Sequence, residues 1–194
     1  IPPTGQHGNA IKSIRLGTGM WKEGTIFMTM TALVTGAARG IGLATTRQFL
    51  DEGWRVAMID RDAEALDAAA AELAEVHPDG ARPLACDVSD PDAVTVMMAA
   101  VIGWAGQLDV LVNNAGVADF GPIEATSFAR WRTVMATNLD GVFLCSQAAI
   151  PHLKATRGAI VNIASISGLR ASTLRTAYGL SLIHISEPTR PNEI

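Results

Sequence analysis

Short apolar runs alternate along the chain with longer segments in which apolar residues recur every three or four positions. The runs occupy residues 31–34, 55–59, 83–86, 109–112 and 159–163. Each has the length of a buried β-strand, and the segments between them have the period of amphipathic helices. Strands that alternate with helices predict a parallel sheet covered on both faces. The pattern therefore predicts a doubly wound α/β domain.

Helical periodicity is clear in several of the intervening segments. One has apolar positions at Leu66, Ala69, Ala70, Leu73 and Val76, and the next at Val94, Met97, Met98 and Val101. Asp90 and Pro91 suit the N-cap and first turn of that second helix. The longest segment carries Phe128, Trp131, Met135, Leu139 and Val142. An earlier helix over residues 41–52 is expected to end at Gly53.

Composition narrows the class of protein. The chain has 194 residues, of which 48% are hydrophobic and 18% charged, which fits one globular domain and excludes a disordered chain. A net charge of −4 argues against a nucleic-acid partner. No run approaches the 18 or so apolar residues that span a membrane. Cys86 and Cys145 are expected to be reduced packing thiols of a cytoplasmic protein, and no histidine or cysteine has metal-ligand spacing.

The two ends of the chain lack the pattern of the middle. Residues 1–27 show no sustained period, and Lys22-Glu23-Gly24 can be encoded by a purine run that resembles a bacterial ribosome-binding site. We expect residues 1–27 to be untranslated leader read in frame, with a disordered N-terminal arm as the alternative. Residues 180–190 read LSLIHISEPTR, which resembles a translated sequencing-library adapter. We therefore expect residues 180–194 to be non-native and residues 28–179 to be the natural segment.

A glycine-rich turn directly follows the first predicted strand. It reads Thr35-Gly36-Ala37-Ala38-Arg39-Gly40-Ile41-Gly42 and leads into a predicted helix. Glycines let a backbone turn sharply and approach a pyrophosphate, which then binds N–H groups at the helix N-terminus. A purely structural turn is the alternative, but the position between strand and helix favours a dinucleotide site. The candidate cofactor-binding residues here are Gly36, Arg39, Gly40, Ile41 and Gly42.

Asp60 stands at the end of the second predicted strand, 18 positions after Gly42. A carboxylate there can accept hydrogen bonds from the adenosine ribose hydroxyls and would repel a 2′-phosphate. NAD is therefore the expected cofactor. NADP stays open because a guanidinium from Arg39 or Arg61 could pair with that phosphate. A solvated strand-end aspartate is the alternative for Asp60.

Two further motifs follow later strands. Asp87-Val88 comes after the third strand, and Asn113-Asn114-Ala115-Gly116 comes after the fourth. Together with the glycine turn, they resemble the short-chain dehydrogenase/reductase family in its ketone and alcohol branch. The resemblance covers nearly all of residues 28–179 and implies a Rossmann-like fold that binds NAD or NADP. It adds Asp87, Val88, Asn114, Ala115 and Gly116 to the cofactor-binding residues.

The same resemblance extends to three residues that carry the family's chemistry. Asn138 in the long helix, Ser165 after the fifth strand and Tyr178 thirteen positions later are similar to the family's catalytic Asn, Ser and Tyr. It implies that Tyr178 exchanges a proton with the substrate oxygen and that Ser165 stabilises a developing alkoxide. It also implies that Asn138 holds a water on the proton path. A turn serine and a packed aromatic are the structural alternatives for Ser165 and Tyr178.

The chain departs from the family pattern at one position. The family has Tyr-x-x-x-Lys, whereas Leu182 stands four positions after Tyr178. Leucine can neither favour the phenolate by its charge nor bind the nicotinamide ribose. The resemblance implies that the parent gene encodes an NAD(P)-dependent oxidoreductase of alcohols or ketones. We expect the chain as written to be inactive, because it lacks that lysine and the family's last two strands.

Other functions stay open on the same fold. A non-catalytic NAD(P)-binding sensor is the main alternative, although it would be expected to lack Ser165 or Tyr178 and both are present. An epimerase or dehydratase of the extended relatives would show a different glycine spacing. The resemblance further implies a small-molecule alcohol or ketone substrate. It also implies a homo-oligomer, a tetramer in most relatives, formed through the long helices and the C-terminal strand.

Overall fold

Five strands form one parallel sheet in the computed structural model, which describes residues 29–170 and 173–183. The strands are β1 (Thr31–Thr35), β2 (Arg55–Asp60), β3 (Ala81–Ala85), β4 (Val110–Asn113) and β5 (Ala159–Asn162). Their order across the sheet is β3-β2-β1-β4-β5, so the chain reverses direction across the sheet between β1 and β4. In a doubly wound sheet, such a reversal opens a crevice beyond the carboxyl ends of the two strands. The predicted leader at 1–27 and residues 184–194 of the predicted tail lie outside the described residues.

Six α-helices connect or follow these strands. They are α1 (Gly40–Asp51), α2 (Ala63–Ala74), α3 (Pro91–Ala105), α4 (Phe128–Met135), α5 (Gly141–Thr156) and α6 (Thr176–Leu182). Side chains of Asp62, Asp90 and Ser127 cap α2, α3 and α4 by accepting backbone N–H groups, which satisfies donors that have no partner within the helix. The helix α6 includes the first residues of the tail that we expect to be non-native.

Alternate residues of the strands build two separate cores, one on each face of the sheet. Leu33, Ala57, Ile59 and Leu111 pack with apolar residues of α3 and α5 on one face. Ala32, Val34, Val56, Met58 and Val112 pack with α1 and α2 on the other. All five residues of the central strand β1 are buried. The doubly wound α/β fold is therefore confirmed, and β1, β2 and β4 are covered on both faces, whereas all four residues of the edge strand β5 are exposed.

The long predicted helix is not continuous. A π-helical segment, Ala136–Asp140, separates α4 from α5, and α5 extends to Thr156. A π turn shifts the angular phase of the residues that follow it. Phe128, which the period assigns to the buried face, is exposed because it is the first residue of α4. Val76 is likewise exposed, because α2 ends at Ala74.

Most predicted boundaries differ from the observed ones by only a residue or two. The helix predicted at 41–52 spans Gly40–Asp51, and the strand predicted at 83–86 spans Ala81–Ala85. Cys86 and Cys145 are both buried free thiols, and burial raises their pKa values to about 11 and about 12. Within the described part of the chain, no helix combines the length and apolarity needed to cross a membrane. No group of metal-ligating side chains occurs there either.

Candidate active site

The glycine turn between β1 and α1 is folded in a way that requires its glycines. Gly36 and Gly40 adopt φ values of +66° and +56°, a region in which side chains are strained. At Gly42, an added Cβ would lie 2.1 Å from the Gly36 carbonyl oxygen, so only a hydrogen fits between the turn and the helix. No side chain caps α1, whose first turn starts at Gly40. The donor set therefore fits a pyrophosphate bound on the first-turn N–H groups.

Residues directly after β4 form hydrogen bonds with this turn. The Asn114 side-chain Nδ2 donates to the carbonyl oxygens of Thr35 and Gly36, at 2.9 and 3.2 Å. The backbone N–H groups of Asn114 and Ala115 both donate to Thr35 Oγ1 at 3.0 Å. Asn114 thus holds β4 to the glycine turn across the crevice. Thr35, which the sequence reasoning did not select, is its main partner.

Two carboxylates, those of Asp60 and Asp87, lie at or just after the ends of β2 and β3 near this turn. Asp60, partly buried at the end of β2, accepts hydrogen bonds from the N–H groups of Ala38 and Asp62, at 3.2 and 3.1 Å. Asp87 is exposed, and its Oδ1 accepts from the Ser89 hydroxyl and backbone N–H at 2.7 and 2.9 Å. These hydrogen bonds, with a smaller contribution from Arg61, hold the pKa of Asp87 below its usual value. The Asp87 carboxylate is therefore a hydrogen-bond acceptor at neutral pH.

A cleft of about 430 Å³ lies between the glycine turn and these carboxylates. Eight of the eleven predicted cofactor-binding residues line it, namely Gly36, Arg39, Asp60, Asp87, Val88, Asn114, Ala115 and Gly116. Gly42 is buried beneath the turn, Gly40 is exposed, and Ile41 lines a second cleft. We call the first cleft the adenosine cleft, because its acceptors suit ribose hydroxyls and its wall includes apolar Val88.

The second cleft, of about 330 Å³, contains all three predicted catalytic residues, Asn138, Ser165 and Tyr178. We call it the reaction cleft. Asn114, Ala115, Gly116 and Val117 line both clefts, so the two adjoin along this stretch of chain. Asn113 is buried in the wall of the reaction cleft, and its Oδ1 has no hydrogen-bond partner among the described residues. An unpaired buried acceptor fits a cleft that binds a polar ligand.

Asn138 lies in the π segment and is almost completely buried. Its Oδ1 accepts the Val117 N–H at 2.8 Å, and its Nδ2 donates to the Val117 carbonyl oxygen at 2.9 Å. Nδ2 also donates to Ser181 Oγ at 3.0 Å. The Asn138 side chain thus joins the loop after β4 to α6, and the sequence reasoning found neither of its partners.

Ser165 and Tyr178 approach the reaction cleft from two different elements. Ser165 caps a single 3₁₀ turn after β5, and its Oγ accepts the Ser167 N–H at 3.2 Å. Tyr178 lies half-buried in the first turn of α6. Leu182 lies one turn later on α6, is buried and lines the same cleft. An apolar side chain therefore occupies the helical neighbour position of the phenol.

Residues 30–182 match the family model described as short chain dehydrogenase. The chain belongs to the short-chain dehydrogenase family. The relatives that it matches are named dehydrogenases and reductases, and the family resemblance noted in the sequence is confirmed at this level. The motifs, which are spread along the chain, thus come together at one end of one sheet.

Several dehydrogenases are similar to this chain. Meso-2,3-butanediol dehydrogenase of Serratia marcescens is 44% identical over 144 residues, which cover 74% of this chain and 56% of that protein. D-threitol dehydrogenase of Mycolicibacterium smegmatis is 44% identical over 149 residues, covering 76% and 56%. 2-(R)-hydroxypropyl-CoM dehydrogenase of Xanthobacter autotrophicus is 40% identical over 158 residues, covering 79% and 63%. The chain therefore spans less than two thirds of the length of these relatives.

Proposed function

We propose that the protein to which this chain belongs transfers a hydride between a nicotinamide dinucleotide and an alcohol or ketone. The proposal rests on one observation, that two clefts adjoin. A cleft built on the glycine turn meets, along residues 114–117, a cleft lined by Asn138, Ser165 and Tyr178. A dinucleotide can therefore extend from one to the other, with its reactive ring beside a phenol and a hydroxyl.

The adenosine cleft holds the first half of the cofactor in this proposal. The first-turn N–H groups of residues 40–42 bind the pyrophosphate, Asp60 accepts the ribose hydroxyls, and Asp87 and Val88 contact the adenine. Asp60 also disfavours a 2′-phosphate by charge repulsion, so NAD is the preferred cofactor. NADP is the alternative, because Arg39 and Arg61 line the same cleft.

The reaction cleft supplies the proton and the electrostatic stabilisation. Tyr178 would donate a proton to the substrate oxygen in reduction and accept one in oxidation, and a bound nicotinamide would supply or take the hydride. Ser165 Oγ already accepts the Ser167 N–H, so its own O–H can donate to the developing alkoxide. Asn138 acts as a positioning residue, since its contacts with Val117 and Ser181 hold the cleft's two walls together.

Leu182 determines what the chain as written can do. The cleft position one turn after Tyr178 is occupied by a buried apolar side chain, which supplies no charge to the phenol. We infer that this chain binds the dinucleotide but turns over substrate slowly or not at all. The same position is the one observation that favours the alternative function, a non-catalytic NAD(P)-binding sensor.

Binding of NADH tests the proposal without requiring turnover. Energy transfer from tryptophan to bound NADH is measured for the wild-type chain and for Gly42→Ala, whose added methyl group would clash with the Gly36 carbonyl. We expect Gly42→Ala to lose at least tenfold in affinity. Gly103→Ala is the matched control, because a Cβ at Gly103 in α3 meets nothing within 4 Å. A wild-type chain with no affinity for NADH, or equal affinities for the two variants, would overturn the proposal.

A further inference from the structure

An ion pair bridges the glycine turn and the start of α2 at the rim of the adenosine cleft. Arg39 Nη2 lies 2.7 Å from Asp62 Oδ2, and the Arg39 side chain is 72% exposed. Arg39 is one of the two guanidiniums that line this cleft. In the sequence, the Arg39 guanidinium is a candidate partner for the 2′-phosphate of NADP. In the structure, its charge is already engaged by a carboxylate.

Asp62 is held in place by more than the ion pair. Its backbone N–H donates to Asp60 Oδ1 at 3.1 Å, which couples it to the residue expected to contact the ribose. Its Oδ1 accepts the Ala65 N–H at 3.2 Å and so caps α2. The N-cap contact therefore fixes the position of the Asp62 carboxylate independently of the ion pair with Arg39. Such preplacement removes much of the entropic cost that weakens most exposed ion pairs.

The second guanidinium of the cleft also has an acidic neighbour. Arg61 lies close enough to Asp87 to help lower the pKa of that carboxyl. Asp60 and Asp87 thus line the cleft together with the two arginines, and Asp62 pairs with Arg39. A 2′-phosphate entering this region would have to displace or compete with them.

We propose that Asp62 is a cofactor-selecting residue, which engages Arg39 and thereby makes the site favour adenosine with a free 2′-hydroxyl over adenosine with a 2′-phosphate. This inference rests on the proposed dinucleotide site and adds to it a residue that does not contact the reacting atoms. Asp60 acts on the ribose directly, whereas Asp62 acts through Arg39. The two contributions are separable by substitution.

Two small probes test the inference at the adenosine end alone. Adenosine 5′-monophosphate and adenosine 2′,5′-bisphosphate differ only in the 2′-phosphate, and their dissociation constants are measured by calorimetry. Asp62→Asn removes the charge but keeps a good N-cap residue, so α2 is expected to stay intact. We expect the affinity for the bisphosphate, relative to the monophosphate, to rise about fivefold in this variant. A shift below twofold overturns the inference.

Matched variants distinguish the effect of this ion pair from the effect of removing a surface charge elsewhere. Glu72→Gln removes the same charge from an exposed pair with Arg47, formed between α1 and α2 at a distance of 2.5 Å, and should leave the ratio unchanged. Adding Arg39→Ala to Asp62→Asn should return the ratio to near its wild-type value. Equal effects of Glu72→Gln and Asp62→Asn, or an undiminished gain without Arg39, overturn the inference. A wild-type chain that binds neither probe overturns the proposed function itself.

Discussion

Truncating Asn138 to alanine would separate the two walls of the reaction cleft. The substitution removes three hydrogen bonds, two with the Val117 backbone and one with Ser181 Oγ. Each such bond contributes about 1 kcal/mol net, and a buried backbone group left unpaired costs about 1–3 kcal/mol. Because Val117 is only partly buried, we take the lower end of that range for its two groups. The free energy of unfolding should therefore fall by about 3 kcal/mol, about 1 for each of the two unpaired Val117 groups and about 1 for the lost bond to Ser181.

Urea unfolding followed by tryptophan fluorescence measures this change. Ser181→Ala removes one of the three bonds and also the bond that Ser181 Oγ donates to the Tyr178 carbonyl oxygen at 2.8 Å, so it should cost about 2 kcal/mol. Thr133→Ala, which removes a hydroxyl bonded to the Ala129 carbonyl on exposed α4, should change the free energy by less than about 0.5 kcal/mol. If Asn138→Ala costs no more than Ser181→Ala, then the Val117 contacts do not stabilise the fold and this reasoning is wrong.

Two further predictions concern Leu182 and the thiols. Leu182→Lys should raise the NADH-linked turnover of an alcohol or ketone at least tenfold over Leu182→Met, because only lysine places a charge beside Tyr178, and equal rates would contradict this role. Burial raises the pKa of Cys86 to about 11 and of Cys145 to about 12, so both thiols should react slowly with a disulfide reagent at pH 8 until urea unfolds the chain. Since the folded pKa values exceed the ordinary value of 9.0, the thiols' contribution to stability is complete below pH 9 and lost as the pH rises toward 11–12. Fast labelling of the folded chain, or stability that is flat from pH 9 to 11, would refute this.

The central strands could be predicted closely because the sheet is covered on both faces there. A parallel strand in such a sheet is apolar throughout, so its run of residues is visible without any alternation. The π segment at 136–140 could not be predicted in the same way. It changes the phase of a helix by inserting part of a turn, and the apolar residues on both sides still fit a helical period.

The composition of the candidate site was predictable from the order of its motifs. Neighbouring parallel strands have their carboxyl ends at the same edge of the sheet. The residues that follow β1, β2 and β4 could therefore be predicted to lie close together. The polar pairs within the site were not predictable. Asn138 contacts Val117 and Ser181, which are 21 and 43 positions away, and Arg39 contacts Asp62 across 23 positions. Single polar residues have no period, so only the folded chain reveals such partners.

The place of β1 in the sheet has a consequence for synthesis on the ribosome. Of the five described strands β1 emerges first, yet its partner β4 comes much later, because Ala32 pairs with Val110, 78 positions further on. At about 5–20 residues per second, translation needs about 4–16 s to cover that distance. During this interval β1, whose five residues are all buried in the folded chain, has only β2 as a strand partner. The nascent chain is thus most open to chaperone binding before the second half of the sheet is made.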